Sequence, residues 1–303
     1  SAAGGTAGVG NTTTGGATGS SSLVVPTNSG SKYRFSFGDV VLEIDAAIGA
    51  RVSTLTLGGT VCVQPPATDL TTWGSTFWTS PRSDWTPSTW PPPTAIDSGP
   101  FTASISGTHA LFTGTEDTSM GVSINKDYSV DGATGWITIN YTINSRKAIK
   151  AAPWEVTRVP RGGLVFFPTG TTALTKGPWT TVTQSSGITW IDDASRTTTS
   201  ANGTKAYGDG SGGWVAYAQS GVLFLKKFSD TPANAQAPSD GEIGIYPGTG
   251  FLEYEVQGPY TSIAVGGKLD WSVKWRLVKI PTSVTVGAGS SSLSDFAAQQ
   301  AAH

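Results

Sequence analysis

APWEVTRVPRGGLVFFP, residues 152–168, is the stretch on which the fold reading turns, because a Trp, a Glu and two Arg interrupt a sequence that is otherwise rich in Ser, Thr and Gly. Successive side chains of a strand alternate faces, which places Trp154, Val156 and Arg158 on one side and Glu155 and Thr157 on the other. Pro153 and Pro160 bracket this strand. Arg161-Gly162-Gly163 then turns the chain into the apolar run Leu164 to Phe167. Two readings stand side by side: a strand with an internal ion pair, and a strand that faces a ligand. Both need partners for the carboxylate and guanidinium groups.

Composition extends the β reading to the whole chain. The 303 residues include 39 Gly, 18 Pro and 11 Trp, with only 13% charged, which suits many short strands joined by turns around aromatic side chains. Net charge is −2 with no basic run, which argues against nucleic-acid binding. Cys62 is the single cysteine, so no internal disulfide is possible, and it is expected to be a buried structural thiol. His109 and His303 stand far apart and not at zinc-ligating spacing, so no metal and no cofactor are expected. No stretch has the length of a membrane-spanning helix, and no cleavable signal is visible. The small-residue start is what a trimmed secreted protein would leave, so a secreted, extracellular or cell-surface bacterial location is expected.

Outward from the central stretch, the chain divides into a tail over 1–31, one domain over 32–284 and a C-terminal tail over 285–303. Ser1 to Ser22 carries seven Gly and five Thr, and the first charge of the protein is Lys32. Such a segment buries too little apolar surface to offset its ordering entropy and is expected to be a tether, unless a groove or the sheet edge of a neighbouring subunit holds it as an added strand. Strands are expected from Lys32 through TLTLGG, in a meander over 101–143, and at 187–191, 213–218, 222–228, 250–257 and 268–280. Leu70 to Pro93, with Trp73, Trp78, Trp85 and Trp90, reads as a long irregular loop. Ser294 is expected to cap a short terminal helix.

The order of these segments carries a resemblance: GARVSTLTLGG, then GSTFWTSPRSDW followed by WPPP, GVSINKDYSVDGATGWITINYTINS, APWEVTRVPRGGLVFFP and FLEYEVQGPYTSIAVGGKLDWSVKWRL. Over Tyr33 to Pro281 the chain resembles an uncharacterised bacterial family of the galactose-mutarotase-like, or aldose 1-epimerase-like, superfamily. The resemblance implies an all-β supersandwich, two large antiparallel sheets with a concave groove that holds a sugar in relatives. It also implies a histidine acid and a glutamate base across that groove. This chain departs from the histidine motif, since His109 lies in SGTHALFTG and His303 is terminal. The carboxylates that match are Glu155 and, on the late strand, Glu253 or Glu255, which would work as an acid/base pair only if they face each other.

Trp78, Trp85 and Trp90 with Arg82 suit carbohydrate, because indoles stack on the apolar faces of sugar rings and Arg fixes hydroxyls. A tryptophan plug over one end of the sandwich explains them equally. Arg158 and Arg161 are expected to pair with Glu155, Glu253 or an acidic sugar, and a structural salt bridge between strands explains them as well. Of Lys226 and Lys227 one points inward and is a site candidate. Two functions are therefore expected: a carbohydrate-binding or carbohydrate-active protein, gripping its ligand with Trp78, Arg82, Trp85, Trp90, Glu155, Arg158, Glu253 and Glu255; and a structural subunit forming a homopolymer through residues 1–27.

Overall fold

The structure, a computed structural model, describes residues 22–66, 72–172, 174–175, 177, 179, 182–196 and 205–303. The tether expected over Ser1 to Ser22 lies outside these residues except for Ser22 itself. The chain opens with a meander of β1 (Thr27–Ser29), β2 (Lys32–Phe37), β3 (Val40–Asp45) and β4 (Arg51–Leu57), with β5 (Thr60–Val61) folded back on β4. β6 (Ser75–Ser80) and the short helix α1 (Thr94–Asp97) follow. Next come β7 (Phe101–Ser106), β8 (His109–Gly114), β9 (Val122–Asp131) and β10 (Trp136–Ser145), a run of hairpins, and then β11 (Ile149–Pro160) and β12 (Leu164–Pro168). The second half holds β13 (Val182–Ser185), β14 (Ile188–Asp192), β15 (Ala206–Gly208), β16 (Trp214–Gln219) and β17 (Val222–Phe228). β18 (Ile243–Tyr246), β19 (Phe251–Gln257), β20 (Thr261–Ile263), β21 (Lys268–Lys279) and helix α2 (Ser291–Ala302) complete it.

The described strands form two antiparallel sheets. One runs β1-β2-β3-β4-β6-β11-β19-β18-β15, with β20 on β11 and β5 on β4; the other runs β13-β14-β12-β16-β17-β21-β10-β9-β8-β7. The all-β supersandwich expected from the sequence is the architecture observed. Residues 152–168 supply its frame: β11 lies between β6 and β19 in the first sheet, and β12 turns into the second. The turn into β10 begins at Asp131, whose Oδ1 accepts from the Ala133 amide at 3.0 Å, while Gly135 takes φ +74°.

One expectation is corrected here. Leu70 to Pro93 is not irregular throughout, since β6 lies inside it and all six of its residues, STFWTS, are buried. Both faces of β6 are covered, so polar and apolar residues do not alternate and the strand leaves no period of two. After β6 the chain turns irregular again at Pro81, broken by one turn of 3-10 helix at Arg82–Asp84.

Between the sheets lie Phe35, Leu42, Leu55, Ile124, Ile137 and Val273, all fully or almost fully buried. Phe77 of β6 stacks on Tyr141 of β10 with ring centres 4.0 Å apart. A second cluster, Phe166, Trp190 and Trp214, covers the far side of the second sheet beneath α2. That helix buries Leu293, Ala297 and Ala301, spaced four apart on one face. Its cap is Ser290, whose side chain accepts from the Leu293 amide, rather than Ser294.

Candidate functional site

The outer face of the first sheet, centred on β6, β11 and β19, collects most of the expected site residues. Antiparallel register pairs Trp154 with Trp78 on one side and with Gln257 on the other, and pairs Arg158 with Glu253. Directly opposed residues share a face, and so do residues two apart. Trp78, Trp154, Arg158, Glu253, Glu255 and Gln257 therefore point the same way.

Ion pairs knit this face together. Arg158 Nε donates to Glu253 Oε1 at 2.8 Å, and its guanidinium lies 5.3 Å from the Trp78 ring centre. Trp154 Nε1 donates to Glu255 Oε2 at 2.7 Å. Lys205 forms an ion pair with Glu255 and sits 4.6 Å from the Trp154 ring centre. Gly244 makes room for that pair, since a Cβ there would lie 2.7 Å from Glu255 Oε2. Burial pushes the Glu255 carboxyl up to about 7; Lys205 works against the rise and Glu253 adds to it.

The tryptophan loop covers the face. Trp85 stacks over Trp154 at 6.0 Å and meets Trp78 edge-on at 5.6 Å, and its Nε1 donates to the Thr79 carbonyl at 2.9 Å. Trp90 reaches the Trp78 edge at 6.0 Å but remains 52% exposed. Arg82 is exposed at the rim, where its charge acts on the Tyr207 and Tyr246 hydroxyls. The Trp78 indole is fixed from behind: Asp97 Oδ1 accepts from Trp78 Nε1 and from Arg51 Nη2, each at 2.8 Å.

Three buried atoms of this face, Arg158 Nη1, Glu255 Oε1 and Gln257 Oε1, have no hydrogen-bond partner among the described residues. One is a donor and two are acceptors. An unpartnered buried polar atom costs roughly 1–3 kcal/mol, so together they mark a place where a polar ligand or water gains affinity.

Glu155 is elsewhere, which corrects the expectation of a carboxylate pair facing across a groove. It opposes Val256, one residue out of step with Glu253 and Glu255, and so points between the sheets. There its Oε1 accepts from Lys226 Nζ at 2.8 Å and from Trp275 Nε1 at 3.0 Å, and its Oε2 accepts from the Tyr141 hydroxyl at 2.8 Å. Lys226 is thus the inward lysine, and it belongs to this internal cluster and not to the outer face. Lys227 points out and donates to the Ala301 carbonyl of α2 at 2.6 Å. Arg161 stands 3.7 Å from Asp193 Oδ2, clear of the tryptophans. His109, on β8 of the other sheet, pairs with Asp127 at 2.7 Å. Cys62 is buried, and its thiol is pushed up to about 12 by that burial. Among the described residues no group of three or more His, Cys, Asp and Glu is placed to hold a metal ion.

Trp154, Lys205, Tyr207, Tyr246 and Asp97 escape the sequence reading as site residues. Trp154 carries a signal, since it shares its strand face with Arg158. Lys205 and Tyr207 end a polar loop without periodicity, and Asp97 lies 46 residues from Arg51, so nothing local announces them.

No family profile matches the chain, and no curated protein matches it. Solved structures do match. A galactose mutarotase-like protein from Lactobacillus casei ATCC 334 has a TM-score of 0.55 at 12% identity, over 82% of this chain and 100% of that one. A putative aldose 1-epimerase from Escherichia coli K12 has a TM-score of 0.54 at 10% identity, over 82% and 99%. A galactose mutarotase-like protein from Clostridium acetobutylicum has a TM-score of 0.54 at 10% identity, over 85% and 98%. The fold is the galactose-mutarotase-like β-sandwich.

Proposed function

We propose that this is a secreted carbohydrate-binding protein whose ligand docks on the outer face of the first sheet. The observation that carries the reading is the donor and two acceptors left unpartnered beside Trp78 and Trp154. A sugar hydroxyl both donates and accepts, and a pyranose has apolar faces for an indole, here that of the half-exposed Trp90 because Trp78 and Trp154 are buried, so one ligand class answers both features. Structures of this fold named as aldose 1-epimerase and galactose mutarotase-like support a sugar as that ligand. The approach is from the rim formed by Arg82, Tyr207, Tyr246 and Glu253, with Trp90 exposed beside it. Glu155 takes no part, because the sheet stands between it and the ligand.

The test is a glycan array on the full chain, followed by calorimetric titration of the best ligand. Arg82→Ala and Glu253→Gln are each expected to weaken binding tenfold or more, about 1.4 kcal/mol. Absence of binding to every glycan at millimolar concentration would reject the reading.

Self-assembly through the tail is the second reading, and the anchoring of Ser22 and Val24 at the end of β9, which sets the root of the tail at one end of a sheet, favours it. Val24 N donates to the Val130 carbonyl at 2.9 Å, and Gly132 N donates to the Ser22 carbonyl at 2.8 Å. Residues 22–24 are thus held against the end of β9 and its turn, at one end of the second sheet.

A further inference from the structure

The four strands that end the two sheets are not equally open. β1 and β15 have three residues each and β13 has four, whereas β7 has six. Among the described residues β7 pairs only with β8. A two-residue turn, Gly107-Thr108, closes this hairpin between Ser106 and His109. In such a hairpin the closing pair exchanges hydrogen bonds and the pattern then alternates, so the main chains of Ser106, Ser104 and Thr102 face β8. Those of Phe101, Ala103 and Ile105 face outward. Phe101 fits this parity, because its amide donates away from β8, to the Ala46 carbonyl at 2.8 Å. Ala103 and Ile105 keep outward main-chain groups with no strand beside them. Edge strands are commonly guarded by charge, proline or a bulge, and FTASIS contains neither a charge nor a proline. A groove of about 620 Å³, lined by Pro91, Pro92, Pro93, Gly99, Pro100 and Thr115, prolongs this edge at its Phe101 end.

We propose that the β7 edge receives residues 1–21 of a second copy of this chain as an added strand, joining copies head to tail. The inference rests on the assembly reading above and names the surface that accepts the tail. Length permits it: a six-residue edge needs about 20 Å of strand, and 21 residues reach about 70 Å when extended. Chemistry agrees, since residues 1–21 carry no charge and AGVGNTTT (7–14) sets a Val and three Thr among small residues that pack beside the exposed Thr102, Ser104 and Ser106. The described chain begins at Ser22, whose carbonyl accepts from the Gly132 amide at the β9–β10 turn, and a second copy is the occupant that the assembly reading requires. The contact uses different surfaces on the two copies, so it need not close on itself.

Sedimentation velocity of the full chain across a wide concentration range tests this. The expected result is a series of species that grows with concentration. Ile105→Pro and Ala103→Pro each remove one outward amide and no bond to β8, so both should return the protein to the mass of one chain with its melting temperature kept. Ile105→Thr keeps the amide and should assemble like the parent. A synthetic peptide of residues 1–21 in tenfold excess should dissolve the assemblies. If the peptide dissolves them but neither proline variant has any effect, the assembly reading stands and the β7 acceptor falls. A single-chain mass at every concentration overturns both, and a species that stops at two chains overturns the head-to-tail joint.

Discussion

Glu155 and Glu253 stand on opposite faces of the same sheet, although their strands are hydrogen-bonded neighbours. Glu155 opposes Val256, and Glu253 opposes Arg158. A difference of one in strand parity puts the whole sheet between the two carboxylates. Glu155 therefore directs its charge to Lys226 and to two neutral donors, while Glu253 holds Arg158 beside the tryptophans.

The internal pair leads to a stability prediction. Glu155 and Lys226 are both completely buried, and burial lowers the Lys226 pKa while Glu155 counters it. Removing one partner leaves the other charge uncompensated in the core, which typically costs about 3–5 kcal/mol. Lys226→Met is expected to destabilise by that amount in urea denaturation. Combining it with Glu155→Gln should cost clearly less than the sum of the two single losses. Additive losses would show that the pair is not coupled.

A second prediction concerns pH. Glu242 is buried, and its carboxyl is pushed up to about 8, first by burial and further by Asp230 and Asp209, against the pull of the Thr231 and Gly210 amides. Glu255 is raised to about 7. A carboxyl whose pKa is higher in the folded state than in the unfolded chain binds its proton more tightly when folded. Its contribution is complete below the unfolded value near 4.5 and is lost as pH rises through the folded one. Stability should therefore fall between about pH 4.5 and 7, by up to roughly 1.4 kcal/mol per pH unit for each such group. Denaturation midpoints at several pH values measure this, and Glu242→Gln should flatten the slope. Stability that is level or rising across that window would contradict both shifts.

Some of this architecture is legible in the sequence, and the rest is hidden for physical reasons. Strands with one wet face announce themselves: β21 alternates Trp271, Val273, Trp275 and Leu277 inward with more exposed partners, and the structure places it where that alternation predicts. β6 is covered on both sides and lacks that alternation. Trp78, Trp85, Arg158, Glu253 and Glu255 stand out because they are large aromatic and charged side chains in a Ser/Thr/Gly background, and the structure brings them together. Facing is harder to assign than identity. FLEYEVQ carries the common face of Glu253, Glu255 and Gln257, but how β11 registers against β19 depends on pairing between segments that are 95 residues apart at Arg158 and Glu253. That register decides whether Glu253 and Glu255 share the face of Arg158 or that of Glu155, and no local pattern encodes it.

The last prediction tests the outer face through its backbone. Gly244 opposes Glu255 across β18 and β19, and a Cβ at this position would come within 2.8 Å of the Lys205 Cε as well as close to the Glu255 carboxylate. No real Cβ tolerates such approaches, so Gly244→Ala must displace the Lys205–Glu255 pair. Glu255 is also held by Trp154 Nε1, and the disturbance passes through the buried Trp154 indole to the tryptophan loop stacked on it. Gly244→Ala is expected to weaken glycan binding at least tenfold, with a stability loss of about 1–3 kcal/mol from overpacking. Tryptophan emission should shift with it, because the ring environment changes. At Gly250, by contrast, a Cβ would meet nothing within 4 Å, so Gly250→Ala is the matched control and should leave binding, emission and stability as they were. Equal behaviour of the two variants would remove Glu255 and Lys205 from the site.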